Sequence, residues 1–302
     1  MENVVETRGL TKTYGKSGRG VRDVDLEVRE GEVFGFLGPN GAGKTTTVRT
    51  LLGFLRPTGG EARVFGLDFR RESVAIRARV GNLPGEFALE DRMSGEGLLR
   101  FSARLRGVED LSYAHELAER LGADLGRPMR RLSRGNKQKI GLIQAMFHKP
   151  ALLILDEPTG GLDPLVQEEF LEIVAETRAE GRTVFFSSHV LSEVERVSDR
   201  VGIIRDGLLV DVETTRSLVD KAFRHVRLVF GGPVDARPFA ALPGVKDLKA
   251  DGARLSFTLY DDLDGVVKLA ARHRLLAMDY ERPSLEEIFL NYYGRGEKGD
   301  GG

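Results

Sequence analysis

The amino-acid sequence predicts an α/β fold followed by a small α+β domain. Two short, largely apolar runs, Glu32–Leu37 and Leu152–Leu155, are typical of buried strands of a parallel sheet. Stretches with helical periodicity lie between and after these runs. Around Thr214 to Arg224 the pattern changes to short alternating segments and brief helical stretches, which indicates a second and smaller α+β domain.

Composition limits the classes of function that the chain can have. The sequence has 302 residues, enough for one large or two modest domains, and no cysteine, which excludes disulfides, thiolate zinc sites and a cysteine nucleophile. Its 45 Lys and Arg residues against 46 Asp and Glu residues give no overall basic excess, so no nucleic-acid partner is expected. No apolar run approaches the ~18 residues of a membrane-spanning helix.

The segment Gly38–Thr45 has the phosphate-binding pattern of a glycine, four residues, and then Gly-Lys-Thr. A predicted strand precedes it, and a predicted helix, Lys44–Leu55, follows it. Backbone N–H groups and the helix N-terminus favour a bound anion there, so we expect Lys44 to contact the β- and γ-phosphates and Thr45 to ligate Mg²⁺. The predicted nucleotide-binding residues of this loop are Gly38, Pro39, Asn40, Gly41, Ala42, Gly43, Lys44, Thr45 and Thr46.

Two adjacent carboxylates, Asp156 and Glu157, end the second apolar run. Buried carboxylates need cationic partners, and Mg²⁺ beside a phosphate-binding loop supplies one. We therefore assign Asp156 to the Mg²⁺ shell, directly or through water, and Glu157 to the general base that activates the attacking water. Residues 158–161, Pro-Thr-Gly-Gly, follow at once, so a plain strand-end turn explains this segment equally well when it is considered alone.

Several helical patterns lie between and beside these segments. Leu98, Phe101 and Leu105 recur at helical spacing, which we interpret as core or inter-helix contact. Ser133 is predicted to be the N-cap of a helix, which by itself indicates only a capped helix. His189 follows a β-rich run, and at the carboxyl end of a parallel strand it is a candidate phosphate sensor.

We expect a first domain over residues 1–218, with a helical subdomain at about 85–149, and a second domain over 219–294. The order βαββαβ in the second domain predicts a ferredoxin-like fold. Ser284–Glu287 is a capping box that opens a last short helix. The polar, glycine-rich tail, residues 295–302, is expected to be disordered.

Taken in order, these motifs resemble those of the nucleotide-binding subunits of ABC transporters, and the resemblance covers Val4–Val212. It implies a P-loop NTPase core with antiparallel β and helical subdomains, and ATP and Mg²⁺ as ligands. It also implies that two such subunits enclose two ATP molecules at a two-fold interface.

The resemblance assigns roles to further residues. Tyr14 corresponds to the aromatic residue that stacks on adenine, and His189 to the switch histidine. Ser133 and Gly135 lie in the signature segment, Leu132–Asn136, which in this family contacts the γ-phosphate of ATP held by the other subunit. Asp163 corresponds to the D-loop aspartate, which communicates across the dimer.

The sequence departs from the family pattern in three places. The signature segment carries Arg134 and Asn136 where Gly and Gln are commoner, and Gly160 stands in the D-loop where Ser or Ala is usual. Gly85 stands where the family has a glutamine that helps to ligate Mg²⁺ and couples to the membrane subunit. We expect Glu86, one residue later, to supply the missing oxygen ligand.

The signature segment and the appended second domain resemble the branch of bacterial ABC proteins that exports drugs, antibiotics or polymers. The resemblance implies an ATP-hydrolysing subunit at the cytoplasmic face of the cell membrane. Its expected partners are a separate transmembrane permease and a second copy of this chain or a paralogous ATPase.

Two other functions compete with this interpretation. The first is a soluble ABC ATPase that acts on DNA or ribosomes, but such proteins typically carry two ATPase domains or a long coiled-coil insertion. This chain has one P-loop and no sustained heptads. The second is a non-hydrolytic binding module, and the presence of Lys44, Asp156, Glu157 and His189 argues against it.

Overall fold

The two strand patterns of the sequence produce different kinds of sheet. The computed structural model describes residues 2–15, 18–85, 92–217 and 223–281, and the chain divides into two units, residues 1–215 and 216–302. The elements of the first unit, in chain order, are β1 (Asn3–Tyr14), β2 (Arg19–Arg29), β3 (Val33–Leu37), α1 (Lys44–Leu51), β4 (Gly59–Val64), β5 (Leu67–Asp68), α2 (Ser73–Arg79), β6 (Val80–Leu83), α3 (Gly95–Arg106), α4 (Ser112–Arg120), a 3-10 turn (Met129–Arg131), α5 (Arg134–Met146), β7 (Leu152–Asp156), α6 (Pro164–Ala179), β8 (Thr183–Ser188), α7 (Leu191–Val197), β9 (Arg200–Arg205) and β10 (Leu208–Thr214).

An antiparallel sheet of the first unit has the strand order β2-β1-β4-β5. In β2, Val24, Leu26 and Val28 are fully buried, and the residues between them are exposed. This alternation is the pattern of a strand with one face on the core and one in water. The predicted antiparallel β subdomain is therefore confirmed.

A second sheet has the order β10-β9-β3-β8-β7-β6, and every neighbouring pair is parallel except β9 and β10. All residues of β3, β7 and β8 are buried, as expected for central strands of a parallel sheet. The register pairs Leu37 with Ser188 and Asp156 with Ser187. The carboxyl ends of these three strands therefore lie side by side at one edge of the sheet, which confirms the predicted α/β core.

The second unit folds as predicted into a ferredoxin-like arrangement. Its four strands have the order β12-β13-β11-β14, all neighbouring pairs are antiparallel, and the apolar side of β11 packs with Phe239 and Val266 of the two helices. The capping box at 284–287 and the tail lie outside the described residues. The elements are β11 (Arg224–Phe230), α8 (Arg237–Ala240), β12 (Val245–Asp251), β13 (Arg254–Leu259), α9 (Asp264–Ala270) and β14 (Leu275–Glu281).

Two local predictions were wrong. Helix α1 ends at Leu51 and not at Leu55, because Gly53 has a φ of +73° and leaves the helical conformation. The N–H groups of the next two residues both donate hydrogen bonds to the carbonyl oxygen of Arg49. In α3, Leu98 is buried, but Phe101 and Leu105 are 52% and 72% exposed. The buried stripe of α3 contains Leu98, Leu99, Ser102 and Ala103. Phe101 and Leu105 lie along the Leu98 margin of this stripe, where no other element covers them among the described residues.

Candidate active site

The loop between β3 and α1 is shaped around the side chain of Lys44. Gly41 and Gly43 have φ values of +81° and +111°, which L side chains rarely adopt. A Cβ atom on Gly38 would lie 2.3 Å from the carbonyl oxygen of Ile204, so this position admits only glycine. The ammonium group of Lys44 donates to the carbonyl oxygens of Gly38, at 2.6 Å, and Pro39, at 3.1 Å. The loop therefore holds a buried cation at the N-terminus of α1.

Glu157 lies between two basic side chains. Its Oε1 atom is 3.0 Å from Nζ of Lys44, and its Oε2 atom is 2.7 Å from Nδ1 of His189. Its backbone has a φ of +51°, and its N–H group donates to both the carbonyl oxygen and the hydroxyl of Ser187. A non-glycine residue in this conformation is held there by its surroundings. The structure thus brings together Lys44, Glu157 and His189, which are far apart in sequence.

Asp156 is the most deeply buried acid of the site, at 1% exposure. Its Oδ1 atom accepts a hydrogen bond of 2.6 Å from the hydroxyl of Ser187. Gly85 lies directly against the other carboxylate oxygen, since a Cβ atom at Gly85 would be 2.8 Å from Oδ2. A side chain at this position would therefore contact the acid. Glu86, the predicted substitute ligand, lies outside the described residues.

Ser187 is a site residue that the sequence analysis missed. It holds the carboxylate of Asp156 and the backbone of Glu157 at the same time. The available signal was its position at the end of the strand that pairs with 152–156, because parallel pairing places Ser187 opposite Asp156. Sequence alone does not say which strands are neighbours.

The donor set fits a nucleotide with Mg²⁺. The hydroxyl of Thr45 follows Lys44 at the start of α1 and is half-buried, and Asp156 offers a buried carboxylate. Within the described residues, no group of three or more acidic or histidine side chains forms a metal site by itself. Mg²⁺ usually takes one or two protein ligands and completes its shell with phosphates and water, and this loop is built for phosphates.

Ser133 and Asp163 are both helix caps. The hydroxyl of Ser133 accepts from the N–H of Asn136 at 3.2 Å, which confirms the predicted N-cap of α5. The carboxylate of Asp163 accepts from the N–H of Val166 at 3.1 Å and caps α6. Both side chains are exposed, so these two predicted site residues face outward and do not touch the cluster around Glu157.

The signature segment contacts the turn that follows Glu157. A Cβ atom on Gly135 would be 2.7 Å from the carbonyl oxygen of Gly161, so the two backbones approach closely. The side-chain amide of Gln138 donates to the carbonyl oxygens of Pro158, at 2.9 Å, and Glu157, at 3.3 Å. Gln138 is another residue that the sequence analysis did not assign.

Tyr14 lies at the end of β1 and is 42% exposed. It pairs with Arg19 on β2, one residue before Gly20. The carbonyl oxygen of Gly20 is 3.3 Å from the position that a Cβ atom on Gly43 would occupy. The ring therefore belongs to the end of the β1–β2 hairpin that borders the phosphate-binding loop.

Comparison with known protein families and sequences places these features in one group. A family model described as ABC transporter matches residues 21–160. The bacitracin transport ATP-binding protein BcrA of Bacillus licheniformis is 38% identical over 70% of each chain. Its namesake from Enterococcus faecalis is 32% identical over 98% of each chain. The daunorubicin resistance ATP-binding protein DrrA3 of Streptomyces coeruleorubidus is 32% identical over 97% of this chain and 96% of its own.

Solved structures are similar over about 70% of the chain. An ATP-binding subunit of an ABC transporter superposes with a TM-score of 0.65 and 29% identity, covering 71% of this chain and 91% of its own. A dimeric post-hydrolysis state of the ATP-binding cassette MJ0796, bound to ADP and phosphate, superposes with a TM-score of 0.64 over 70% of this chain and 99% of its own. At 22% identity, the second likeness shows the fold alone.

Proposed function

The chain belongs to the ABC transporter family of ATP-binding subunits and is an ATPase of that family, and we propose that it drives export of an antibiotic, a drug or another hydrophobic or polymeric compound through a separate transmembrane permease. The support is that relatives named for bacitracin transport and daunorubicin resistance match nearly the whole chain, including its second unit. This similarity does not favour an ATPase that acts on DNA or ribosomes.

The observation that supports ATP hydrolysis, on which the proposed export depends, is the position of Glu157 between Lys44 and His189. The Glu157 carboxylate takes the proton of the water that attacks the γ-phosphate. Lys44, held by the loop carbonyls, stabilises the negative charge that develops on the phosphate oxygens. His189 fixes the orientation of the Glu157 carboxylate through its second oxygen.

The remaining loop residues bind the nucleotide. The backbone of residues 38–46 surrounds the phosphates, and Tyr14 stacks on the adenine. Thr45 and Asp156 would hold Mg²⁺, Thr45 through its hydroxyl and Asp156 directly or through water. When bound, Mg²⁺ neutralises charge on the β- and γ-phosphates.

A second copy of the chain, or a paralogous ATPase, completes each site. Ser133 and Asp163 are exposed on the surface next to the turn that follows Glu157, residues 158–161, which we call the catalytic turn. A partner chain can reach both side chains there. The N-terminus of α5 offers N–H groups to the γ-phosphate of the partner's ATP. Two chains related by a two-fold axis would bury both signature segments at an isologous interface.

The permease docks in a cleft of the first unit. The cleft has a volume of about 450 Å³. The side chains of Phe54 and Leu105 on its wall are 56% and 72% exposed, and Phe101 lies one turn before Leu105. Exposed apolar side chains that cluster in this way mark an interaction surface. The cleft lining includes Leu52, Phe54, Leu98, Leu105, Arg77 and Arg106.

No described helix has the length and apolar character needed to span a bilayer. We place the chain at the cytoplasmic face of the membrane through its permease. The decisive experiment is a tagged pull-down from detergent-solubilised membranes of the host, with the eluate identified by mass spectrometry. A multi-span protein in stoichiometric amount is the expected result, and an eluate of only soluble proteins, ribosomes or DNA would overturn the transport assignment.

Two variants sharpen this experiment. Leu105→Glu places a charge on the wall of the cleft and should release the permease, because burial of an unpaired carboxylate is costly. Leu276→Glu is the matched control, since Leu276 is also apolar and 58% exposed but lies in the second unit. Deletion of the gene should make the host more sensitive to the exported compound, and restoration with Leu105→Glu should not reverse that sensitivity.

A further inference from the structure

The buried side chain of Gln138 connects the signature segment to the residue that activates water. We propose that Gln138 is a positioning residue that fixes Glu157 for catalysis and couples it to the γ-phosphate bound at the signature segment. The inference rests on the proposed two-chain arrangement and adds a regulatory link within each chain. Among the described residues, the side-chain hydrogen bonds of Gln138 go to Glu157 and Pro158 and not to the nucleotide-binding loop.

The first step of the argument is the geometry of the amide. Gln138 is 6% exposed, and its Nε2 atom donates to the carbonyl oxygens of Pro158 and Glu157 at 2.9 and 3.3 Å. A side-chain amide has two N–H donors, so one Gln138 satisfies both carbonyls. These hydrogen bonds hold the two peptide units that follow Glu157 in the chain.

The second step is that Glu157 is held on both sides. Its N–H group bonds to Ser187 of β8, and its carbonyl oxygen bonds to Gln138 of α5. The φ of +51° at Glu157 is unfavourable for a residue with a side chain, so it depends on such contacts. Release of the carbonyl would let the backbone relax and move the carboxylate away from its position between Lys44 and His189.

The third step concerns what α5 transmits. Ser133 caps the helix and Gln138 lies five residues later in the same rigid segment, about 7.5 Å along the axis. A shift of the cap towards a phosphate on the partner chain therefore moves Gln138 as well. Gly135 adds a second contact, because its backbone lies against Gly161 of the same turn. Occupancy of one ATP site is thereby connected to Glu157 of the other.

A simpler explanation is that Gln138 only satisfies two buried carbonyls and stabilises the fold. The two explanations differ in what a substitution changes. A purely stabilising residue would lower nucleotide binding, dimer formation and turnover together when it is removed. A positioning residue would lower turnover and leave nucleotide affinity and dimer formation in place.

The test compares Gln138→Met and Gln138→Glu with a matched control. Met keeps the length of the side chain without a donor, and Glu presents oxygens to two carbonyl oxygens. The control is Gln144→Met on the same helix, since Gln144 donates to Ser102 Oγ at 3.0 Å and not to the catalytic turn. All variants are assayed as the full isolated chain for kcat, KM, the Hill coefficient for ATP and affinity for a fluorescent ATP analogue.

We expect Gln138→Met to lower kcat by about tenfold to hundredfold, as for a misplaced catalytic group, with nucleotide affinity within about twofold of the wild type. The Hill coefficient should fall towards about 1 as the link between the sites is lost. Gln138→Glu should lower kcat at least as much, and Gln144→Met should match the wild type. ATP-dependent dimers of Glu157→Gln should still form when Gln138→Met is added.

Two results would overturn the proposal. One is turnover of Gln138→Met equal to that of Gln144→Met. The other is a parallel loss of nucleotide affinity, dimer formation and turnover, which would leave Gln138 a structural role alone. Failure of the proposed two-chain arrangement has a different signature, because Glu157→Gln alone would then stay monomeric with ATP.

Discussion

The Nδ1 atom of His189 lies 2.7 Å from Oε2 of Glu157. Glu157 follows β7 and His189 follows β8, two neighbours in the central sheet, so the strand register sets their separation. The other oxygen of Glu157 lies 3.0 Å from Nζ of Lys44, at the start of α1. Each oxygen of the proposed general base thus has its own cationic or hydrogen-bonding partner.

His189→Ala should lower kcat by about tenfold to hundredfold, because the carboxylate of Glu157 loses one of its two anchors and a misplaced group is a poor catalyst. KM for ATP should change little. Steady-state phosphate release measures both constants. His189→Gln retains a hydrogen-bond donor and should recover part of the activity, and equal loss in both variants would argue against an anchoring role.

Glu157→Gln should keep ATP binding and lose turnover by at least about a hundredfold, the usual contribution of a general base. The amide cannot accept the proton of the attacking water. The unhydrolysed nucleotide should hold two chains together, so size-exclusion chromatography with ATP should show a dimer that the wild type forms only transiently. Unchanged turnover would remove Glu157 from the role of base.

Lys44→Ala should weaken nucleotide binding itself by about 10- to 100-fold, since a hydrogen bond to a charged group contributes about 1.5–3 kcal/mol. Equilibrium titration with a fluorescent ATP analogue measures this affinity directly. Lys268→Ala is the control, because Lys268 pairs with Asp264 on the surface of the second unit. Unaltered affinity in Lys44→Ala would show that the phosphates bind elsewhere.

Ser187→Ala removes the hydroxyl that bonds to Asp156 Oδ1 and to the N–H of Glu157. We expect a loss of about 1–3 kcal/mol in the free energy of unfolding, because the buried carboxylate of Asp156 loses its hydrogen-bond donor, together with a lower kcat. Thr177→Val is the control for loss of a buried hydroxyl, since Thr177 bonds to Ile173 within α6. It should lose stability at unchanged kcat per folded molecule. Urea unfolding and ATPase assays separate the two effects.

His148 predicts a dependence of stability on pH. Burial and then the nearby guanidinium groups of Arg106 and Arg182 lower the pKa of His148 to about 4, from an ordinary value of 6.5. As the pH falls, His148 is therefore protonated in the unfolded chain before it is protonated in the folded chain. The contribution of neutral His148 to the free energy of unfolding is complete above pH 6.5 and is lost as the pH falls towards 4. The melting temperature of His148→Leu should fall less than that of the wild type between pH 7 and 5.

Much of this protein could be predicted from local sequence. The conformation of the loop Gly38–Thr45 is determined by residues within the loop, because its glycines can adopt positive φ values without steric strain. The apolar run before Asp156 and Glu157 identified a buried strand and the acids at its end. The order of strands and helices was enough to identify the ferredoxin-like second unit, since few topologies suit that order.

Only the tertiary structure decided which distant residues meet. Ser187 contacts Asp156 across 31 residues, and Gln138 contacts Glu157 across 19, because strand order and the docking of α5 bring them together. The exposure of Phe101 and Leu105 likewise depends on which face of α3 is covered by other elements. A motif such as the phosphate-binding loop can be identified from a short stretch of sequence because its own backbone forms the site. Burial and hydrogen-bond partners depend on segments that are far apart in sequence and meet only in the folded chain.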